Sequence, residues 1–336
     1  MSHGANYYFS RPEFNRNDRD SILNWAHWLK GKSLQDSYRL LTNENKNKIL
    51  PGLEKLARKI QKKAALGKYK GDKGIIGQMV EMIHFGLKRN SRKGADLVEA
   101  GLELKTTGIK MNTENEQWEA KERLTLTQIN YEDLMRNSNE TDVHLVMKGL
   151  DNSLVIVYFY LKAPPFFYES DLEVTVESML ETKFAGAFLW NPSDQNIRDA
   201  NRDWRLIKAM CESGYAHMIS ERYSKFLGCA PRGQGSRKPG KEAVDFSAQT
   251  VEEAQGQYNL RTNCSKLGIP TETADEIFKS VIEREKYPRN PRKGYALPPE
   301  GYHKVGKHGN YPKQKRAFTI PYHSLTRVIL DNLDIA

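Results

Sequence analysis

The sequence predicts an α/β fold in which a mixed central sheet carries the functional site and helices flank that sheet. Apolar residues at helical spacing dominate the first quarter of the chain, up to residue 87. Segments rich in β-branched and aromatic residues follow, between residues 97 and 162. A further helix and a closing strand-to-helix pattern come after them. Alternation between the two periodicities is typical of a sheet with helical layers.

The predicted helices begin in the segment 20–41, which a glycine interrupts. Ser33 followed by Asp36 predicts that the helix restarts there, since a serine with an acid three residues later forms a loose capping box. Residues 52–66 are amphipathic and strongly basic, and residues 73–87 carry an apolar helical face. These segments predict the helices that precede the sheet.

The predicted strands lie in apolar segments bounded by turn residues. They are LVEAGLELKTT, ERLTLTQI, VHLVMKGL and LVIVYFYLK. Residues 196–214 then predict a helix that stops at its final glycine, because glycine readily adopts the left-handed conformation of a C-cap. Farther on, residues 273–286 predict a short helix, and residues 316–332 predict a strand followed by a helix.

Composition narrows the class of protein. A chain of 336 residues with five tryptophans can bury a core with an elaboration or a small second domain. The net charge of +10 suits a polyanionic partner such as nucleic acid, although a soluble protein can simply be basic. Three scattered cysteines do not make a disulfide scaffold. With neither a signal-peptide pattern nor an apolar stretch long enough to span a bilayer, the sequence predicts a cytoplasmic protein.

Two acids and a lysine surround the end of the first predicted strand. Leu102 and Leu104 predict its buried face, so Glu103 and Lys105 share the opposite face, with Asp96 just upstream. Hydrolysis of a phosphodiester needs a divalent cation, an activated water and stabilisation of developing charge. Two carboxylates are typical protein ligands of Mg²⁺, and a neighbouring lysine can orient or deprotonate the attacking water.

The triplet alone leaves two interpretations open. Acid, spacer and E-x-K form the D-x(n)-E-x-K pattern of a nuclease site. The same residues recur by chance in a highly charged chain, where they form an ion pair on a solvated strand edge.

The run KGDKGIIGQMVEMIHFGLKRNSRKGADLVEAGLELKTT, residues 70–107, resembles the core of the MutH mismatch-repair endonuclease and of the related Sau-type restriction enzymes that cut at GATC. The family's "KG..GQ.LE" helix corresponds to a segment ending at Glu81. The family's aspartate corresponds to Asp96, and its "G-[VL]-E-L-K-T" strand to residues 101–106. The spacing agrees throughout this run, which is far more specific than the triplet.

The resemblance extends over roughly residues 20–245 and 313–333. AKERLTLTQINY is closer to the restriction branch than to MutH itself. FLWNPSDQNIRDANRDW, YSKFLGCAPRGQGS and RAFTIPYHSLTRVIL resemble the family's later strand and helix, its recognition loop and its closing strand and helix. The resemblance implies a restriction-endonuclease-like fold of the MutH type, with two lobes that form a DNA cleft.

The implied domain organisation has four parts. Residues 1–18 are an irregular N-terminus, and 19–245 are the nuclease core, with the active site in an N lobe and the recognition loop in a C lobe. Residues 246–312 are a basic, proline-rich insertion, and 313–336 supply the closing strand and helix. The insertion's basic residues are compatible with wrapping DNA, with extending the recognised sequence, or with dimer contacts.

The resemblance also implies roles for individual residues. Asp96 and Glu103 would be metal ligands, Lys105 the catalytic lysine, and Glu81 a further carboxylate acting directly or through water. A glutamate at the rim of a helix face is the alternative for Glu81, whereas His84 is expected to be a packing or surface residue. DNA contacts are predicted for a set of basic residues and one proline. Plain phosphate attraction is the alternative to base reading for Arg237 and Lys241, and a surface lysine beside a turn is the alternative for Lys148. The set is Lys148, Pro231, Arg232, Arg237, Lys238 and Lys241.

The predicted function is that of a type II restriction endonuclease that uses Mg²⁺, with Mn²⁺ as a substitute, to cleave double-stranded DNA at or around GATC. The expected ends are a 5′-phosphate and a 3′-hydroxyl. One site cuts one strand, so a double-strand break implies a homodimer on a palindromic sequence or sequential nicking. The alternatives are a strand-directed mismatch-repair nickase of the MutH type and a non-catalytic DNA-binding protein on a nuclease fold.

Overall fold

The structure is a computed structural model that describes most of the chain. The described residues are 7–65, 74–88, 95–129, 134, 152–160, 172–213, 219, 221–231, 253–286, 302–304, 310–312 and 316–335. The chain divides into two compact units. Unit 1 contains Met1–Arg123, Gly149–Asn191 and Leu325–Ala336, and unit 2 contains Leu124–Lys148 and Pro192–Ser324. No helix in the described ranges is long and apolar enough to cross a membrane.

Unit 1 begins with helices, as the sequence predicts. They are α1 (Arg19–His27), α2 (Leu34–Arg39), α3 (Asn43–Ala65) and α4 (Ile75–Met79), and α4 continues into a π-helical turn at Val80–His84. The predicted capping box is confirmed, because the Ser33 backbone N–H donates to Asp36 and the Asp36 N–H donates to the Ser33 hydroxyl. The helix predicted over 73–87 is also present, as α4 followed by the π-helical turn.

A four-stranded mixed sheet forms the centre of unit 1. Its strands are β1 (Glu103–Asn112), β2 (Gln117–Ala120), β4 (Ser153–Phe159) and β5 (Phe184–Trp190), in the order β2-β1-β4-β5. Strand β4 runs parallel to β1, and the other neighbouring pairs are antiparallel. Helix α5 (Leu172–Leu180) lies between β4 and β5 in the chain. The predicted mixed sheet flanked by helices is confirmed.

The two faces of this sheet have different partners. Leu104, Leu154 and Ile156 belong to a large apolar cluster with the N-terminal helices. On the other face, a side chain at Gly186 would meet Leu333, which follows the C-terminal helix α9 (Tyr322–Asn332). Since side chains alternate along a strand, Glu103 and Lys105 belong to this second face. The sheet therefore buries one face under the N-terminal helices and carries the predicted site on the other.

Unit 2 contains a three-stranded antiparallel sheet and several helices. Its strands are β3 (Leu124–Gln128), β6 (Gly228–Pro231) and β9 (Arg316–Ile320), in the order β3-β9-β6. Helix α6 (Asp194–Glu212) carries Asp203, whose Oδ2 accepts from the backbone N–H groups of Lys225, Phe226 and Leu227. This carboxylate therefore fixes the chain just before β6.

The predicted insertion 246–312 contains more regular structure than the sequence indicated. The short helix predicted at 273–286 is present as α8 (Thr271–Lys286), but it is preceded by α7 (Glu253–Lys266), which the sequence analysis missed. Helix α7 contacts α6 and α8, and the Asn263 amide donates to the Ser213 hydroxyl. Two short strands, β7 (Tyr302–Lys304) and β8 (Asn310–Pro312), pair with each other. The helical part of this segment therefore packs within unit 2, against α6.

Candidate active site

A tight hairpin places Asp96 beside the start of β1. The backbone groups of Leu97 and Leu102 exchange two hydrogen bonds, at 2.9 and 3.1 Å. Gly101 closes the turn at φ +64°, a conformation that glycine adopts without the steric penalty of a side chain. Because Leu97 faces Leu102, the next pair outward is Asp96 and Glu103. The six residues that separate the two acids in sequence are thus the two paired leucines and the turn between them.

Asp96 is held by the strand that comes after the hairpin. Its Oδ2 accepts a 3.0 Å hydrogen bond from the backbone N–H of Leu104. Burial raises the pKa of Asp96, and the negative charge of Glu103 raises it further, while the Leu104 N–H and the Lys105 charge act in the opposite direction. The carboxylate is thus constrained in position, and burial disfavours its charged form.

Glu103 and Lys105 meet on one face of β1, as the alternation of the strand predicts. The Lys105 ammonium donates to Glu103 Oε1 at 2.7 Å, and the two side chains are 29% exposed for Glu103 and 17% exposed for Lys105. The Glu103 N–H donates to the backbone oxygen of Asn152, which leads into β4. Asp96, Glu103 and Lys105 are therefore brought together at the end of the sheet where β1 and β4 begin.

Thr107 is a residue of this face that the sequence analysis missed. It lies two positions beyond Lys105 on β1 and is 2% exposed. Among the described residues its hydroxyl has no hydrogen-bond partner. A buried hydroxyl without a partner is uncommon in folded proteins. Nothing in the sequence pattern distinguishes it from an ordinary strand threonine.

Glu81 lies on a neighbouring element. It is the second residue of the π-helical turn after α4, and it is partly exposed. Helix α4 packs against β1 where Gly77 approaches Thr106, with a Cβ at Gly77 placed 3.6 Å from the Thr106 side chain. Within the described residues no three His, Cys, Asp or Glu side chains form a metal-binding group. The part that Glu81 plays in the site stays a prediction.

His84 is a packing residue. It is completely buried and stacks on Trp25 with ring centroids 4.3 Å apart. Its ring nitrogens lie within hydrogen-bond distance of the Ser37 hydroxyl and the Trp25 backbone oxygen. Burial lowers the pKa of His84 to about 3, so the ring is neutral at physiological pH.

Most of the predicted DNA contacts fall outside the described residues. These are Lys148, Arg232, Arg237, Lys238 and Lys241. Pro231 is described as the last residue of β6, where it pairs with Arg316 of β9. The segment predicted to read DNA therefore begins where this strand ends.

Comparison with known proteins shows which family the residues around this site resemble. The family model described as "DNA mismatch repair enzyme MutH" matches residues 85–203, a range that includes Asp96, Glu103 and Lys105. Residues 85–203 thus match a MutH-type domain. It is 31% identical over 220 residues to the type II restriction enzyme Sau3AI of Staphylococcus aureus. It is 27% identical over 164 residues to the DNA mismatch repair protein MutH of Shewanella amazonensis.

These relatives confirm the resemblance to the MutH and Sau-type family, with the higher identity on the restriction side. The aligned part makes up 64% of this chain and 41% of Sau3AI. For MutH the shares are 48% of this chain and 63% of the relative. The chain thus spans less than two thirds of either relative.

Proposed function

We propose that the protein is a Mg²⁺-dependent endonuclease that hydrolyses phosphodiester bonds in double-stranded DNA. The observation that carries this proposal is the convergence of Asp96, Glu103 and Lys105 within the MutH-matching range. Both relatives are named as enzymes or repair proteins that act on DNA. The basic charge balance of the chain suits the same polyanionic substrate.

The donor set fits a hard divalent cation. Asp96 and Glu103 supply carboxylate oxygens, which Mg²⁺ and Mn²⁺ prefer to nitrogen or sulfur. A cation held there supplies a Lewis acid that neutralises the scissile phosphate and acidifies a bound water. Two carboxylates close together also repel each other, and this repulsion contributes to the raised pKa of Asp96. With a cation held by both acids this repulsion would be relieved, so metal binding and ionisation of Asp96 would support each other.

Lys105 contributes positive charge on the same face. Its ammonium is 2.7 Å from Glu103 Oε1, which directs it toward the metal-binding carboxylates. From this position it orients the attacking water by a hydrogen bond and stabilises the negative charge that develops on the phosphate. Attack on phosphorus with departure of the 3′ oxygen leaves a 5′-phosphate and a 3′-hydroxyl. Glu81 would support this arrangement from the neighbouring π turn.

Within this reaction class, we favour a type II restriction enzyme that cuts at or around GATC. The higher identity to Sau3AI supports this choice over a strand-directed nickase. Lys148 and the segment from Pro231 to Lys241 would supply the phosphate and base contacts.

Digestion of supercoiled plasmid distinguishes the two functions. We expect the protein alone, with Mg²⁺, to give linear DNA whose sequenced ends map to GATC, and we expect EDTA to prevent cleavage. Nicked circles as the sole product would favour the repair role. Ends scattered over unrelated sequences would contradict the proposed specificity.

The proposed stoichiometry has a separate test. The described residues contain one set of Asp96, Glu103 and Lys105, and one such site cuts one strand. We therefore expect a monomer or weak dimer in free solution and a two-to-one complex on a palindromic duplex. Sedimentation velocity with Ca²⁺ in place of Mg²⁺, to slow hydrolysis, measures both states. A tight dimer without DNA would contradict this expectation.

A further inference from the structure

The segment Tyr7–Arg11 contacts both chain elements that carry predicted site acids. The Tyr8 N–H donates to Gly86 O at 2.7 Å, and Tyr7 forms an isolated antiparallel bridge with Leu87. These bonds attach the segment to the residues just after the π turn that carries Glu81. The Tyr7 hydroxyl donates to Glu99 Oε2 at 2.6 Å, within the hairpin between Asp96 and Glu103.

Arg11 satisfies the backbone oxygens at the end of the π turn. It is 4% exposed and donates to Ile83 O at 2.6 Å and to His84 O at 3.1 Å. It also donates to the backbone oxygen and the hydroxyl of Ser37 in α2. Carbonyl groups at a helix end lack partners within the helix, and a buried guanidinium can satisfy several of them at once. Arg11 therefore fixes the place where the π turn stops.

Gly86 allows the segment to approach this closely. Its φ is +68°, and a Cβ built there would lie 2.7 Å from Phe9 O. A side chain at this position would push residues 7–11 away from the turn. The close contact between residues 7–11 and the turn therefore depends on a glycine at position 86.

We propose that residues 7–11 act as a strap that positions the site, because they connect the π turn carrying Glu81 to the hairpin carrying Asp96 and Glu103. Tyr7 and Arg11 are its two positioning residues. This inference rests on the proposed function, since it assigns the strap to the metal-binding carboxylates of that same site.

The two contacts act on different acids. The π turn adds a residue to the local turn, so its relaxation to an α-helix would rotate one end of the turn against the other by about 100° around the helix axis, and Glu81 lies within that turn. Arg11 opposes that rotation at the residues shortly after Glu81. Tyr7 holds Glu99 at the turn of the hairpin, and the hairpin pairing sets Asp96 opposite Glu103. Loss of either contact would therefore make the position of these acids less fixed, although all the acids themselves would still be present.

Mn²⁺ binding tests the Tyr7 contact independently of cleavage. Tyr7→Phe removes one hydroxyl and should weaken Mn²⁺ binding, measured by electron paramagnetic resonance of free Mn²⁺, by roughly tenfold, a loss typical of residues that orient metal ligands. Tyr160→Phe removes a hydroxyl from another tyrosine of unit 1, one that is half-buried, and should bind Mn²⁺ like the wild type. Equal Mn²⁺ affinity for Tyr7→Phe and the wild type would overturn the proposal.

A double-variant cycle tests the Arg11 contact. Arg11→Lys keeps the charge but loses the planar fork that reaches several oxygens. If Arg11 acts through Glu81, the fold-loss of cleavage rate from Arg11→Lys should largely disappear in a Glu81→Gln background. The same fold-loss in both backgrounds would show a structural role alone and overturn this part of the proposal. Should Arg11→Lys fail to fold by circular dichroism, the Tyr7→Phe measurement decides.

The outcomes separate the strap from the function on which it rests. A wild-type protein that binds Mn²⁺ and cuts DNA, with variants that bind and cut equally well, refutes the strap and leaves the endonuclease proposal in place. A wild-type protein that neither binds Mn²⁺ nor cuts refutes both.

Discussion

Replacing Lys105 by methionine is expected to reduce DNA cleavage by roughly 10²- to 10⁴-fold, the range associated with loss of a group that assists proton transfer. Methionine keeps the apolar stem of a side chain that is only 17% exposed, so packing on β1 should change little. The ammonium that lies 2.7 Å from Glu103 is lost, and with it the charge that we propose acts on the reacting phosphate. The rate of plasmid cleavage at saturating Mg²⁺ measures the effect.

Strand β1 provides a matched control for this substitution. Lys110 lies on the same strand and pairs with Glu119 at the same 2.7 Å distance. Lys110→Met removes an equivalent ion pair outside the site and should leave the cleavage rate near that of the wild type. Both variants should retain affinity for duplex DNA in Ca²⁺. Equal cleavage by the two variants would show that Lys105 is not catalytic.

The sequence predicted the carboxylate and lysine face because that face depends on local geometry. A strand alternates its side chains, so buried Leu102 and Leu104 require Glu103 and Lys105 to point the other way. The position of Asp96 could not be predicted from this alternation, because the residues between Asp96 and Glu103 can either loop outward or fold back. Gly101 and the Leu97–Leu102 pairing show that it folds back, and the family resemblance had implied this outcome without giving the geometry.

Features that depend on distant contacts were not predictable in the same way. The π turn looks like an ordinary helix in the pattern of apolar residues, and its end depends on Arg11, which is 72 residues away from Ile83 in sequence. Helix α7 was missed because its polar sequence has little periodicity and is stabilised by packing on α6. In both cases a tertiary contact, rather than local propensity, decides the structure.

A second large effect is expected for Asp96→Asn, which should abolish cleavage and also raise the melting temperature at neutral pH. The amide oxygen can still accept the hydrogen bond from the Leu104 N–H, but the charge of the proposed metal ligand is lost. The pKa of Asp96 is raised above its ordinary value, first by burial and then by Glu103. A raised carboxyl pKa stabilises the fold below the pKa of the unfolded chain, and this contribution is lost as the pH rises through the folded-state pKa.

Ionised Asp96 therefore costs stability at neutral pH, and asparagine removes that cost. The gain in melting temperature should shrink in acid, where the wild-type carboxyl is protonated. Asp36→Asn is the control of opposite sign, because hydrogen bonds from Ser33 lower the pKa of Asp36 and its charge supports the fold. Mg²⁺ should raise the melting temperature of the wild type and not that of Asp96→Asn, since a ligand stabilises only the state that binds it.

An Asp96→Asn protein that melts below the wild type at every pH would contradict the burial argument, whereas one that still cuts DNA would remove Asp96 from the proposed metal site. Scanning calorimetry over a pH series, with and without Mg²⁺, tests the stability part, and the plasmid assay tests the catalytic part. The expected pattern is that of a carboxylate kept in an unfavourable place because it binds the metal there.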